Sequence, residues 1–301
     1  METRVLPYSH ESIEDAARLI FQAQPVAVPT ETVYGLAADA TSGSAVARIY
    51  EAKGRPSFNP LIVHVPDLAA ARSIGRFDDA ALELAALYWP GPLTLVVPIA
   101  QDSGIAPIVA AGLPTIGLRV PAHEAMQALL RATGRPLAAP SANASGAISP
   151  TRARHVLASL GGRIPLIIDG GATQRGLEST IVAATDGSLR LLRPGPIDVT
   201  ATIADASRIE APGQMASHYA PSKPLRLGAT SKESDEFLIG FETVEGDVTL
   251  SASGDLLEAA TRLFELLHEA DAAPAPRIAI APIPEHGLGI AINDRLKRAA
   301  A

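Results

Sequence analysis

The 301-residue chain is 47% hydrophobic, 19% charged and only 4% aromatic, with a net charge of −7 and no cysteine. That is enough apolar material for one large or two unequal domains around an Ala/Leu/Ile/Val core, and it excludes disulfide frameworks, thiolate metal sites and cysteine nucleophiles. The charge is uneven, −1 over residues 1–200 and −6 over 201–301, so a cationic cleft suits the first part, whereas the second is a poor nucleic-acid binder.

Met1 to Pro7 lacks the basic and apolar regions of a signal peptide, and no apolar run nears the roughly 20 residues of a membrane helix, so a cytoplasmic protein with no membrane contact is expected. A helical stripe runs from Ser12 to Ala23, with Glu14 and Asp15 in its first turn. Pro25 to Val28 reads as a buried strand, Ser44 to Ala52 as a helix, Leu61 to Val65 as a strand and Asp78 to Tyr88 as a helix. Leu93–Val97, Thr115–Val120, Pro136–Ala139 and Leu166–Asp169 are predicted strands, with helices over Ala122–Ala132 and Thr151–Leu160. Ile181–Ala184 and Leu189–Arg193 form a hairpin about Asp186-Gly187. Ala211 to Pro224 is rich in proline and lacks apolar periodicity, which marks a boundary. Beyond it come strands near Phe237–Phe241, Val248–Leu250 and Ile278–Ala281, with helices over Leu256–Glu269 and up to Arg298. That order fits a small doubly wound α/β domain.

Lysine occurs once in the first 222 residues, at Lys53, where Lys53 and Arg55 flank Gly54 and Pro56 follows. Two cations on a Gly/Pro-shaped loop entering a strand suit a polyphosphate. The chain has no Walker loop, no G-x-G-x-x-G after a strand, no H-E-x-x-H and no G-x-S-x-G, and its seven histidines are scattered. Instead it carries small-polar and cationic loops at strand ends: Pro29–Leu36, Thr115–Pro121, Pro140–Gly146, Glu178–Thr180 and Arg193–Pro196. Each alone reads as turn or cap chemistry. Together with Lys53 and Arg55 they do not. Within Thr115–Pro121, Thr115 and Arg119 share a strand face.

The segments PTETVYGL, KGRP followed by NPLIVHV, WPGPLT, GLRVP, APSAN-SG, ESTIV and LRPG resemble the YrdC-type threonylcarbamoyl-AMP synthases. SHYAP at 217–221 and GLGIAINDRL at 287–296 resemble the long form with an added C-terminal domain, although the tail after Lys223 is short for it and Ser57-Phe58 replaces an acidic residue. The resemblance implies an α/β fold: a YrdC-like mixed twisted sheet with a cationic concave cleft over residues 1–205, a linker or lid over 206–224, and a small Rossmann-like α/β domain over 225–301. It implies an enzyme that joins L-threonine, bicarbonate and ATP, with Mg2+, into threonylcarbamoyl-AMP and releases pyrophosphate. A separate threonylcarbamoyl transferase complex then modifies an adenosine of tRNA.

Residue by residue, the resemblance gives Arg119 to the threonine carboxylate, a role its guanidinium fork also suits, and Thr32, His64, Ser179 and Ala139 to the rest of the threonine pocket. Lys53, Arg55 and Asn59 would hold the triphosphate, helped by Thr115, Ser141, Ser149 and Arg193, with Lys53 and Arg55 acting in catalysis. Tyr219 would close over the nucleotide, and Mg2+ would be held mainly by phosphates and water rather than by a protein metal site. His64 could instead be a satisfied core histidine, His218 could only shape the linker, and Trp89 reads as core. The rival reading is a double-stranded RNA or tRNA-binding module without synthase activity, against which stand a pI near 5.5 and the lack of aromatic stacking runs. Carbamoyl transfer of the kind used in hydrogenase maturation lacks the accessory segments it needs.

Overall fold

In the computed structural model the described residues are 1–185, 187–203, 210–214 and 217–301; Asp186 of the expected hairpin turn and the 205/206 boundary lie outside them. The larger sheet uses β1 (Arg4–Pro7), β2 (Val26–Pro29), β3 (Tyr34–Asp39), β4 (Ile62–His64), β5 (Leu93–Pro98) and β6 (Thr115–Arg119). It continues with β7 (Leu137–Ala138), β8 (Leu166–Asp169), β9 (Thr180–Thr185), β10 (Ser188–Arg193) and β11 (Thr202–Ile203). Their spatial order is β1-β8-β2-β3-β7-β4-β6-β5-β9-β10-β11, with parallel and antiparallel pairs mixed.

The strand pleat sorts this half into two layers of core. Val26, Val28, Leu166 and Ile168 face one cluster with Ile13, Ile20, Met126 and Leu129, whereas Ala27 and Ile167 face the other, with Val46, Ile49, Leu84 and Val156. Helices therefore cover both faces. The first, His10–Phe21, starts two residues before its apolar stripe because Ser9 and Ser12 form a reciprocal capping box. The helix expected over 44–52 extends to Lys53, and Gly54 ends it in the left-handed region at φ 60. Lys53 thus belongs to a helix end, not to the loop that the sequence reading gave it.

Two other expectations shift. Pro29–Leu36 is not one loop: after the turn at Thr30–Val33 the chain enters the fully buried strand β3. Its Gly35 and mixed composition hid a strand with no alternation. Ala211, placed at the domain boundary, is buried with Ile62, Val96, Ile181 and Leu192 of the larger sheet.

The second sheet holds β12 (Leu225–Arg226), β13 (Glu236–Gly240), β14 (Val248–Thr249) and β15 (Arg277–Ile280) in the order β12-β15-β13-β14, all parallel. Helices Leu256–Ala272 and Leu288–Ala299 both pack against Ile239, Ile278 and Ile280. Leu238 and Ala279 on the other face meet only Ala229 and Val244 among the described residues, so the helices share one face and the unit is not doubly wound as the element order suggested. It is not hung on a tether. Val33, Ile148 and Leu177 of the first half share one core with Tyr219, Leu263, Phe264 and Leu267. Each such apolar side chain buried contributes about 1.5–3 kcal/mol.

Candidate functional site

A small cavity of about 50 Å³ lies where the strand-end loops meet. Thr30, Thr32, Arg55, His64, Arg119, Ala139, Ser141, Ser179 and Arg193 line it from the larger domain, and Pro212, Gly213, His218 and Tyr219 line it from the linker. The strand register explains the convergence. His64 and Arg119 sit opposite each other at the ends of the parallel strands β4 and β6. Pro140 to Ala142 runs beside β3, with Leu36 N donating to Pro140 O and Ala142 N to Tyr34 O. Gly195 allows a turn to press against the entrance to β9, since a Cβ there would lie 2.4 Å from Thr180 N.

Arg119 is buried, and its guanidinium donates to Glu31 Oε1 at 2.6 Å and through Nε to Gly91 O at 3.3 Å. Glu31 Oε2 accepts from Ala122 N, so this carboxylate fixes the arginine while Nη1 makes no hydrogen bond among the described residues. Burial, aided by Arg119, lowers the His64 pKa to about 3, and its Nδ1 has no partner among the described residues. His64 is thus a neutral ring with an unused polar atom, not a satisfied core histidine. Thr30 and Thr32 pair through their hydroxyls at 2.8 Å, as do Thr94 and Ser179.

Arg55 is held by the carbonyls of Asn59 and Pro60. Burial lowers its pKa to about 10, far enough above neutrality to keep it cationic. Arg193 donates to Ser179 O through Nε and Nη2, and to Ser179 Oγ. Tyr219 adopts φ 66 and is 1% exposed, with its ring against His218 and Phe264 and its hydroxyl directed toward Arg193.

Lys53, Asn59, Ser149 and Thr115 do not line the cavity. Lys53 is the nearest in effect: its Nζ donates to Ser141 O at 2.6 Å and to Asn143 O, and its own carbonyl accepts from Ser145 N. It therefore braces the Ser141–Ser145 loop from behind. Burial, then the Arg55 charge, pushes its pKa well below the usual lysine value. Asn59 is buried beneath Arg55, to which it offers its carbonyl. Ser149 donates to Glu178, which lines the cavity. Thr115 begins β6 opposite Pro98, at the far end of the strand from Arg119. Sharing a strand face did not bring the two together, because four residues of strand span about 13 Å.

Sequence reasoning gave no role to Glu31, Glu178, Thr94 or Arg295. All four lie inside motifs that had already been singled out. Arg295 bonds Glu178 from 117 positions away, and no local pattern announces such a pair.

A family model described as "Telomere recombination" (Sua5_yciO_yrdC) matches residues 18–195, and one described as "Threonylcarbamoyl-AMP synthase, C-terminal domain" matches 176–301. The chain is 39% identical to the threonylcarbamoyl-AMP synthase of Bacillus subtilis over 99% of its own length and 95% of the relative's. It is 38% identical to that of Pyrococcus abyssi, over 96% and 94%. The crystal structure of P. abyssi Sua5 complexed with L-threonine superposes with a TM-score of 0.90 at 34% identity, covering 99% of this chain and 97% of that one. The tail that looked short for a C-terminal domain is matched by that domain's family model through residue 301. Escherichia coli YciO, 22% identical with a TM-score of 0.57, shares the fold over 66% of this chain.

Proposed function

The chain belongs to the Sua5–YciO–YrdC family, and on that premise we propose that it is a threonylcarbamoyl-AMP synthase, a cytoplasmic nucleotidyltransferase that joins L-threonine, bicarbonate and ATP. The observation that carries the reading is the cavity itself. A buried arginine with a free Nη1 stands beside a neutral histidine and paired hydroxyls, and a second group of buried arginines lies under the linker. The first set suits an amino acid with a carboxylate and a hydroxyl; the second suits a polyphosphate.

In this reading Arg119 takes the threonine carboxylate, and His64, Thr32 and Ser179 surround its hydroxyl. The threonine amine attacks bicarbonate carbon, and the hydroxyl of bicarbonate leaves together with one proton of the nitrogen as water, giving the N-carboxylate. One carboxylate oxygen then attacks the α-phosphorus of ATP, the bond to the bridging oxygen breaks, and pyrophosphate leaves with that electron pair. Arg55, Arg193 and Lys53 supply the positive field for the departing phosphates, so catalysis is by positioning and charge. Mg2+ belongs with the nucleotide. Glu31 and Glu178 are each committed to an arginine, and no group of three potential ligands exists among the described residues, so phosphate and water oxygens fit as its ligands.

The linker residues His218 and Tyr219 cover the cavity, which supports a lid that keeps water from a carbamate and a mixed anhydride. The product is of the class consumed by a threonylcarbamoyl transferase complex acting on tRNA, and direct tRNA contact would serve delivery. The likeness to synthases over nearly the full length favours this reading over an RNA-binding module. The test is pyrophosphate release from ATP, Mg2+ and bicarbonate with and without threonine. Threonine-dependent release supports the assignment, and release indifferent to threonine overturns it.

A further inference from the structure

Arg295 is the one fully buried arginine in the C-terminal domain, and the catalytic chemistry described above does not use it. It projects from the helix Leu288–Ala299 into the larger domain. Its Nε donates to Glu178 Oε2 at 2.9 Å, and Nη1 donates to Pro194 O at 2.8 Å and to Asp294 Oδ2 at 2.9 Å. The guanidinium carbon lies 5.3 Å from the centre of the Tyr219 ring, and Nη2 is buried with no partner among the described residues. Glu178 and Tyr219 both line the cavity, and Pro194 follows directly on the cavity arginine Arg193.

We propose that Arg295 is a positioning residue for ATP, by which the C-terminal domain holds Glu178 away from Arg193 and Tyr219 in place over the phosphate subsite. The inference rests on the synthase reading and extends it to a residue outside the catalytic domain.

The argument is one of competing charges. Burial works to raise the Glu178 pKa, but Arg295 and Arg193 together hold it below the usual carboxylate range, so Glu178 is an anion facing two cations. An anion on Arg193 would cancel the charge that a phosphate needs. One oxygen of Glu178 accepts from Arg295 and the other from Ser149, and Arg193 donates to the neutral Ser179 instead. Remove Arg295, and the carboxylate, still buried, must find its counter-charge in Arg193. A buried ion pair adds little stability over apolar packing of similar volume, so the pair is better explained by orientation. The cation face against Tyr219 ties the lid to the same switch.

The test compares Arg295→Met, Arg295→Lys and the double variant Glu178→Gln/Arg295→Met. Equilibrium binding of MgATP and, separately, of threonine is measured by calorimetry, with the thermal midpoint of each variant. Arg295→Met should weaken ATP binding about 10- to 100-fold, the worth of one charge-assisted contact, and leave threonine binding within about threefold. The double variant should recover ATP binding to within about threefold of wild type, because glutamine no longer neutralises Arg193. A merely structural role would move both ligands alike and show no recovery. If Arg295→Met does not fold, Arg295→Lys decides. It should weaken ATP binding about three- to tenfold with threonine binding kept, because one ammonium cannot replace the fork. Wild-type ATP affinity in a folded Met variant, or in the Lys variant where that one decides, would overturn the proposal, as would a double variant that binds no better than the single. Wild-type protein that binds ATP yet releases no threonine-dependent pyrophosphate would instead refute the synthase reading alone.

Discussion

Lys53→Met tests two roles at once. The substitution keeps the stem of the side chain and deletes the ammonium, which has three N–H donors. Two of them hold Ser141 O and Asn143 O, leaving one for a phosphate. Each charge-assisted bond contributes about 1.5–3 kcal/mol. Burial already disfavours the ammonium, as its lowered pKa records, so deleting it returns part of that loss. A net destabilisation of about 2–3 kcal/mol is expected, or roughly 3–5 °C in midpoint for a chain of this size. The catalytic effect is separate: losing one preorganised charge beside a reacting phosphate lowers turnover by roughly 10²–10³. Urea unfolding gives the first quantity, and pyrophosphate release at saturating ATP and threonine, well below the midpoint, gives the second. A variant that is destabilised yet turns over within about threefold of wild type would reduce Lys53 to a loop brace. Unchanged stability would refute the bonding to Ser141 and Asn143.

Arg119→Ala alone strands the buried Glu31, so it is best made with Glu31→Gln; the threonine KM should then rise about 10- to 100-fold with the ATP KM unchanged, and an unmoved threonine KM would assign Arg119 to the sheet or to the nucleotide. Serine lacks only a methyl group, about 1–3 kcal/mol, whereas valine offers no hydroxyl to His64 Nδ1; pyrophosphate release should therefore fall modestly with serine and far more with valine, and equal release with valine would contradict a polar pocket. His64 and His218 are both held down to about 3 by burial, so above 6.5 each is neutral whether folded or not. As pH falls from 6.5 toward 3, the unfolded chain takes up protons that the folded one refuses, and stability is lost, by about 2 kcal/mol for each at pH 5. Urea midpoints across that range measure it, and a flat profile would mean that both rings protonate in place.

The larger sheet was legible in the sequence because its strands are short apolar runs bounded by turn chemistry, and because the helices between them carry clean stripes. Strand β3 escaped: its six residues are all buried, so no alternation marks it, and Gly35 reads as a loop. The site was legible where one motif holds both the residue and its setting, as with Arg119 in GLRVP and His64 in NPLIVHV. Lys53 shows the limit. The sequence told that it is a singular cation but not that a left-handed Gly54 ends a helix under it and turns its ammonium toward backbone carbonyls. Thr115 fails for a simpler reason, since periodicity gives a face and not a position along it.

Charge partners were the least legible part, and the reason is physical. Glu31 meets Arg119 across 88 positions and Glu178 meets Arg295 across 117. Neither pair can announce itself through local pattern, yet both set what the cavity arginines are free to do. A cavity built only of cations would be self-repelling and expensive to bury. Placing Glu31 beside Arg119 and Glu178 near Arg193 eases that problem and creates another, because the carboxylate can cancel the charge it supports. At the Arg119 end the answer is local: Ala122 N donates to the second oxygen of Glu31, so that Arg119 keeps Nη1. At the other the carboxylate is drawn off by an arginine from a different domain, packed through a shared apolar core. The C-terminal unit is acidic overall and offers ATP no attraction of its own. Its contribution to a phosphate site is to keep another residue's charge available.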